Sequence, residues 1–246
     1  MSGSSGAPLL VLVHGGTYTS RWWDPMLPLL STPALAVDLP GRRYRPVDLS
    51  TLHRADWERA VADDVLAAAA ENGVVLVGHS SGGYVIPGAA ALLPAGTVRA
   101  MVFVCATCPA EGDRPVDSMT PKLQAITLAN EGALRSRTVG KTIGDARPGE
   151  PTIVTDLEIV EVSATMGVEA PGQLFEAMTW AGVPDVPRRY VRAMRDRVIP
   201  PEHALTMAAN ARCAEIVDLD ATHDVMESAP AELAAILDAF AASLTD

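Results

Sequence analysis

Short runs of apolar, largely β-branched residues recur along the chain and alternate with stretches of helical period. We interpret the runs as strands, because parallel strands that are buried on both faces read as continuous apolar segments. They lie at residues 9–13, 34–37, 74–77, 98–104, 189–194 and 214–219. Helical period is clearest at 56–72, 201–211 and 231–244. This alternation predicts an α/β fold with a mostly parallel, six-stranded sheet flanked by helices.

The alternation is interrupted between residues 109 and 187, where no comparable apolar strand occurs. Periodic stretches in this part favour helices, and a Gly-, Pro- and charge-rich stretch between them indicates a loop. The helices are predicted at 120–134, 155–165 and 170–180, and the loop at 141–151. We therefore expect a core formed by residues 1–108 and 188–246, with 109–187 as a helical cap insertion over the C-terminal edge of the sheet.

A serine-centred motif follows the third predicted strand. Gly78, His79, Ser80, Ser81 and Gly82 come directly after the apolar run, and small and apolar residues then continue at helical spacing. Glycines two residues before and after a serine let it occupy the apex of a sharp turn, where larger side chains would collide with the backbone. Strand, turn and helix together are typical of a nucleophile elbow. The alternative is an ordinary turn in a Gly/Ser-rich loop, which does not require the preceding strand.

Two later loops supply candidates for a base and an acid. A serine hydroxyl needs a base with a pKa near 7, and His223 alone of the five histidines follows the final strand in a loop. A carboxylate must hold that histidine's tautomer, and Asp196, after the preceding strand, is the leading candidate. An exposed ion pair with a neighbouring arginine is its alternative role. The competing acids are Asp113, Asp218 and Asp220.

Other polar residues of the same regions receive structural interpretations. His14 ends the first strand before tandem glycines, and we expect it to brace that turn by hydrogen bonding. His53 and His203, before and within predicted surface helices, are expected to be solvated. The tryptophan pair Trp22 and Trp23 is expected to lie in a first helix that packs on the sheet.

Composition limits the kinds of partner. Asp and Glu number 30 against 19 Lys and Arg, a formal net charge of −11, so the surface field repels nucleic acid and anionic membranes. The three cysteines, Cys105, Cys108 and Cys213, form neither a disulfide framework nor a zinc site, and reduced thiols in the cytoplasm are the favoured interpretation over redox activity. Residues 1–6 have no basic region and no long apolar segment, so we expect neither a signal peptide nor a membrane anchor.

Several of these segments together carry a family resemblance. They are VLVHGG at 11–16 with WW at 22–23, DLPG at 38–41, GHSSG at 78–82, RDRVIP at 195–200 and THDVM at 222–226. In this order they resemble the α/β-hydrolase superfamily, and within it the small branch of plant methylesterases, hydroxynitrile lyases and bacterial esterase relatives. The resemblance implies Ser80 as nucleophile, Asp196 as acid and His223 as base. It also implies an oxyanion hole formed by the backbone N–H groups of Gly16 and Ser81.

The lyases of that branch differ from this chain at two positions. They resemble one another in having threonine after the first-strand histidine and lysine after the base histidine, where this chain has Gly15 and Asp224. Cyanohydrin cleavage is therefore disfavoured.

We expect a serine hydrolase without a cofactor or metal, which cleaves a carboxylic ester, thioester or lactone through an acyl-enzyme. Apolar lining favours a medium-sized, largely uncharged substrate. The candidate lining residues are Thr17, His79, Met119, Phe175, Met178 and Trp180. For the cap residues among them, the alternative role is to pack the insertion onto the sheet. The alternative functions are a lyase, a cofactor-free oxygenase or perhydrolase, and a non-catalytic ligand-binding receptor. Oligomeric state stays open, with a homodimer among the alternatives.

Overall fold

Six strands form one sheet in the computed structural model, which describes residues 6–16, 18–42, 45, 47, 51–131 and 171–244. The strands are β1 (Leu9–Val13), β2 (Ala34–Val37), β3 (Val74–His79), β4 (Val98–Val104), β5 (Arg188–Ala193) and β6 (Glu215–Leu219). Their order is β2-β1-β3-β4-β5-β6, and every neighbouring pair is parallel. The predicted α/β fold is confirmed. All six carboxyl ends therefore meet at one edge of the sheet, with β1 and β3 side by side.

Seven helices lie within the described residues, and several of them pack on the two faces of this sheet. They are α1 (Arg54–Ala68), α2 (Ile86–Leu92), α3 (Pro121–Ala129), α4 (Pro171–Phe175), α5 (Pro201–Asn210), α6 (Val225–Ser228) and α7 (Pro230–Ala242). Within the described residues, no helix combines the length and the apolar character needed to cross a membrane. The cytoplasmic location stays a prediction.

Successive side chains of the central strand point to opposite faces, which divides the core in two. Leu76 of β3 packs in a cluster with Trp57 of α1 and Met207 of α5. Val77, its neighbour, packs on the other face in a cluster that includes Leu237 of α7. All of β3 is buried, which explains why its sequence is a continuous apolar run rather than an alternating one.

The first predicted helix is wrong in type. The segment instead forms two short 3₁₀ turns, Ser20–Trp23 and Leu27–Leu29. Two prolines in the segment, Pro25 and Pro28, have no N–H to continue an α-helical ladder. The 3₁₀ turns still bury both tryptophans against the sheet, as the sequence predicts for Trp22 and Trp23.

The predicted helix at 170–180 is too long, because α4 ends at Phe175. Beyond it, the Met178 N–H donates to the Asp113 carbonyl at 2.8 Å, and the Gly112 N–H donates to the Met178 carbonyl at 3.0 Å. These long-range bonds replace helical ones. The predicted helix at 155–165 and loop at 141–151 lie outside the described residues, and the division into core and cap stays a prediction.

Candidate active site

Ser80 occupies a left-handed backbone conformation at the end of β3, with φ of 50°. A residue with a side chain pays roughly 1–3 kcal/mol for such a conformation, so the surroundings must hold it. A Cβ on Gly78 would lie 2.7 Å from the Gly82 carbonyl oxygen, and a Cβ on Gly82 would lie 2.7 Å from the Val13 carbonyl oxygen. Side chains at either position would force the turn apart. The structure therefore confirms the prediction that larger side chains at these two positions would collide with the backbone.

The loop after β1 lies directly against this turn. A Cβ on Gly15 would lie 2.9 Å from the Ser80 Cβ, so the two backbones approach as closely as glycine allows. Gly16 follows in the same loop and is partly exposed, as is Ser81 on the other side of Ser80. The two residues proposed as oxyanion donors thus belong to the two segments that meet at Ser80.

His223 lies between Ser80 and Asp196. Its Nε2 is 3.0 Å from the Ser80 Oγ, and its Nδ1 is 2.8 Å from the Asp196 Oδ2. Asp196 is buried after β5, and its Oδ1 accepts the backbone N–H groups of Val198 and Ile199, each at 2.8 Å. These bonds fix the carboxylate, which in turn fixes the imidazole with Nδ1 as donor and Nε2 as acceptor.

The competing acids lie elsewhere. Asp218 pairs with Arg192, and Asp220 pairs with Arg195, in both cases with an exposed carboxylate. The backbone of Asp113 contacts Met178. Of the four acidic candidates, Asp196 is the one hydrogen-bonded to His223. Within the described parts of the chain, no three His, Cys, Asp or Glu side chains are arranged to hold a metal ion.

Two carboxylates act on the pKa of the His223 imidazole. Burial acts to lower its pKa, but the charge and hydrogen bond of Asp196, together with the charge of Asp224, outweigh burial. The net effect raises the pKa of His223 above its ordinary value. A base of this kind holds a proton more strongly than a free histidine does.

Two other histidines lie beside the site and have the opposite character. Burial and the nearby Arg42 lower the pKa of His14 to about 3. Burial and the nearby His223 lower the pKa of His79 to about 4. His14 accepts the Leu39 N–H at Nε2 and donates from Nδ1 to the Gly15 carbonyl, which braces the glycine turn as predicted.

His79 supports His223 from within the protein. Its Nε2–H donates to the His223 carbonyl at 3.0 Å, and the two ring centroids are 4.9 Å apart. The side chain is fully buried. This corrects the expectation that His79 lines the substrate pocket, because it has no accessible surface with which to contact a substrate. His203, expected to be solvated, is partly buried and bonds to the Ser118 carbonyl at 2.6 Å.

The four residues of 109–187 that are predicted to line the pocket separate into two groups. Met119 and Phe175 join a small apolar cluster with Val116. Met178 and Trp180 instead pack against the core face that contains Phe103, which is the contact expected for their alternative role. Their place in a substrate pocket stays a prediction. Thr17 lies outside the described residues.

Tyr18 and Asp224 belong to the site although sequence patterns give them no role. The Tyr18 hydroxyl donates to the Asp224 Oδ1 at 2.7 Å. Buried Arg42 donates from Nε to the Tyr18 carbonyl at 2.9 Å. One feature of the sequence could have indicated Asp224. It directly follows His223, at the position where the hydroxynitrile lyases resemble one another in having lysine.

A serine at the apex of a strained strand-to-helix turn, beside an imidazole held by a buried carboxylate, defines the α/β-hydrolase class of protein. The comparison with protein families agrees. The chain belongs to the alpha/beta hydrolase family, whose profile matches residues 10–236.

Individual relatives point to the branch that the sequence resembles. The chain is 33% identical over 117 residues to a protein named putative methylesterase 14, chloroplastic, of Arabidopsis thaliana, and 30% identical to putative methylesterase 12, chloroplastic, of the same plant. These alignments cover 46% of this chain and 33% of either relative, so the match spans about a third of the relatives' length.

Solved structures share the fold over nearly the whole chain. An extracellular α/β-hydrolase from a Paenibacillus species has a TM-score of 0.76 at 18% identity, covering 94% of this chain and 97% of that one. The Arabidopsis methylesterase MES16 has a TM-score of 0.63 at 19% identity, covering 94% of this chain and 97% of its own. At this level of identity the likeness concerns the fold.

Substitution of Gly78 by alanine tests the close packing at the elbow. The added Cβ meets backbone atoms that cannot rotate away, so we expect a loss of about 3 kcal/mol in the free energy of unfolding, measured by urea titration. The matched control is Gly96→Ala, which has φ of 84° and nothing within 4 Å of the added atom. It should cost about 1 kcal/mol from backbone conformation alone. Equal losses would contradict the packing argument.

The lowered pKa values of His14 and His79 predict acid destabilisation. Unfolded histidines take up protons near pH 6.5, whereas these two stay neutral in the fold until the pH approaches their lowered values of about 3 and about 4. Stability should therefore be complete above pH 6.5 and fall below it by up to about 1.4 kcal/mol per pH unit for each histidine. His14→Gln should remove one such contribution, measured by urea titration between pH 7 and 5.

The control for this prediction is His53→Gln. His53 is exposed, and its hydrogen bond with Glu176 raises its pKa, so its contribution has the opposite sign. Removal of His53 should therefore not reduce the dependence of the free energy of unfolding on pH between pH 7 and about 5. An unchanged slope in His14→Gln would show that His14 does not resist protonation in the fold.

Proposed function

We propose that this protein hydrolyses carboxylic esters through an acyl-enzyme on Ser80, with His223 as general base and Asp196 as the acid of the triad. The observation that carries the proposal is the position of the His223 ring, with Nε2 at 3.0 Å from the Ser80 Oγ and Nδ1 at 2.8 Å from the Asp196 Oδ2. Both distances are within the range at which a proton can be passed and a tautomer held.

The reaction proceeds in two halves. Ser80 attacks the ester carbonyl carbon while His223 Nε2 takes its proton, and the resulting oxyanion accepts hydrogen bonds from the Gly16 and Ser81 N–H groups. The protonated His223 then gives its proton to the leaving alcohol as the C–O bond breaks. A water molecule, deprotonated by His223, attacks the acyl-enzyme in the same way, which releases the acid and restores Ser80. Apart from this water, every group that the mechanism requires belongs to the protein, so the proposed mechanism needs no cofactor.

Substrate class is proposed from the relatives and the apolar residues of the cap. The curated relatives are named methylesterases, which supports an ester with a small alcohol. Met119 and Phe175, two of the predicted lining residues, are apolar side chains within 109–187, which favours a medium-sized, largely apolar acyl part. In this proposal 109–187 is a helical cap over the carboxyl edge of the sheet.

Ser80→Ala is expected to lower the turnover of p-nitrophenyl esters by at least about a thousandfold, because no nucleophile remains to form the acyl-enzyme. The measurement is kcat/KM over a series of acyl chain lengths. The matched control, Ser243→Ala, removes a hydroxyl that bonds to the Phe240 carbonyl at the end of α7, and should retain activity. Undiminished turnover in Ser80→Ala would exclude the mechanism. Hydrolysis in isotope-labelled water must also place label in the carboxylate product, which a lyase would not do.

The raised pKa of His223 predicts the acid side of the pH profile. Only the neutral imidazole can take the Ser80 proton, so kcat/KM falls as His223 becomes protonated. Because Asp196 and Asp224 raise this pKa overall against burial, the midpoint of the fall should lie above the ordinary value of 6.5. The check is kcat/KM for one ester between pH 5 and about 9. A midpoint below 6.5 would contradict the electrostatic argument.

A further inference from the structure

One partly buried hydrogen bond beside the site has no part in the mechanism above. It joins the Tyr18 hydroxyl to the Asp224 carboxylate at 2.7 Å, and so connects the loop after β1 with the loop after β6. Tyr18 is only 8% exposed, although a tyrosine at a loop would be free to reach solvent. Its hydroxyl therefore donates to Asp224 rather than to solvent.

Three contacts hold the rest of Tyr18. Its ring stacks on Trp22, with centroids 4.2 Å apart and planes 7° from parallel, and lies over His79 at 5.9 Å. Its carbonyl accepts the Arg42 Nε–H at 2.9 Å. The backbone of the loop is thus fixed on one side by Arg42, and the side chain on the other by aromatic packing and Asp224.

The position of this residue matters because Tyr18 is two residues from Gly16, a proposed oxyanion donor, and Asp224 directly follows His223. Displacement of either loop moves a group that acts on the reacting atoms. Errors of about 1 Å in such groups are known to cost up to about a hundredfold in rate.

We propose that Tyr18 and Asp224 are a pair of positioning residues, in which Tyr18 fixes the Gly16 loop against the His223 loop and the Asp224 carboxylate stabilises the cation that His223 becomes when it takes the Ser80 proton. This inference rests on the proposed function. Directly after the base histidine the lyases of the branch resemble one another in having a lysine, whereas this chain has Asp224, which carries the opposite charge.

The electrostatic part follows from the groups around His223. These are Asp196 after β5, Asp224 on its own loop and His79 at the end of β3. Tyr18 after β1 bonds to Asp224 and interacts with Glu227 in α6, while Cys105 after β4 faces the Asp196 carboxylate. Burial raises the pKa values of Tyr18 and Cys105, so both remain neutral, and His79 is neutral above pH 5. The charges that act on His223 are therefore carboxylates, and loss of one makes its cation less stable.

Two substitutions separate the two roles. Asp224→Asn removes the charge but keeps an oxygen that accepts the Tyr18 hydroxyl. Tyr18→Phe removes the hydrogen bond but keeps the charge and the ring that stacks on Trp22. A merely structural contact would affect stability alone, whereas positioning residues affect kinetic quantities in different ways.

We expect Asp224→Asn to move the acid midpoint of kcat/KM to lower pH by about half a unit. Activity on the alkaline plateau should fall by about threefold, because the His223 cation formed during the reaction loses the same stabilisation. We expect Tyr18→Phe to lower kcat by about tenfold with KM changed by less than about threefold, because the oxyanion loop is misplaced in the transition state. The acid midpoint of Tyr18→Phe should not move to lower pH.

Two controls match the chemical changes. Tyr190→Phe removes a buried tyrosine hydroxyl that bonds to the Ala106 carbonyl at 2.8 Å, in the core cluster on the face of the sheet opposite Tyr18. Asp238→Asn removes one negative charge from α7, where the carboxylate accepts the Ser31 and Thr32 N–H groups. Neither should reproduce the shift or the loss in kcat. Unfolding midpoints of all four variants show whether each is folded under the assay conditions.

Labelling of Ser80 by a fluorophosphonate separates failure of this inference from failure of the proposed function. If the parent protein is neither labelled nor active on esters, the proposed function fails. If the parent is labelled and active, but folded Asp224→Asn and Tyr18→Phe keep its pH profile and its kcat, the pair has no positioning role. The same shift and loss in the two controls would also overturn the inference, because the effects would then be non-specific. Should Tyr18→Phe fail to fold, the midpoint shift in Asp224→Asn still tests the charge.

Discussion

Close approach of two backbones at Ser80 is the constraint on which the rest of the site depends. Gly15 on one side, and Gly78 and Gly82 on the other, leave no room for a Cβ, so the loop after β1 and the turn after β3 meet without intervening side chains. The left-handed conformation of Ser80 is held by this packing. Because β1 and β3 are neighbours in a parallel sheet, the two segments are brought to the same edge by the fold itself.

Electrostatics then distinguishes chemically identical side chains that lie close together. His14 and His79 are buried beside a cation and an imidazole, and their pKa values are lowered. His223 is also buried, but two carboxylates face it, and its pKa is raised. His223 therefore holds a proton more strongly than a free histidine, while His14 and His79 remain neutral well below pH 6.5. The difference comes from the partners of each ring, since burial acts on all three in the same direction.

Much of this arrangement could be predicted from the sequence because the local signals were strong. β1, β2 and β4 have the predicted bounds, since each is an apolar run that ends at turn-forming or small residues. The positions of Ser80, Asp196 and His223 after β3, β5 and β6 predicted their proximity, because parallel strands share a carboxyl edge. Gly78 and Gly82 likewise predicted the sharp turn at Ser80 from the local sequence alone.

What the sequence did not predict depends on contacts between distant segments. The helix expected at 170–180 ends at Phe175, since Met178 bonds to a loop more than sixty residues earlier in the chain. The bond from Tyr18 to Asp224 joins opposite ends of the chain, and neither residue belongs to a periodic pattern. The burial of His79 likewise follows from packing beneath His223 rather than from its position in the motif.

A crystal structure of the protein after reaction with a phosphonate ester inhibitor would test the proposed roles of Ser80 and the two N–H groups most directly. We expect a covalent bond between phosphorus and the Ser80 Oγ, with a phosphonyl oxygen within about 3 Å of both the Gly16 and Ser81 nitrogens. His223 should remain hydrogen-bonded to Asp196. A phosphonate attached to another residue, or an oxygen turned away from both N–H groups, would contradict the proposed roles.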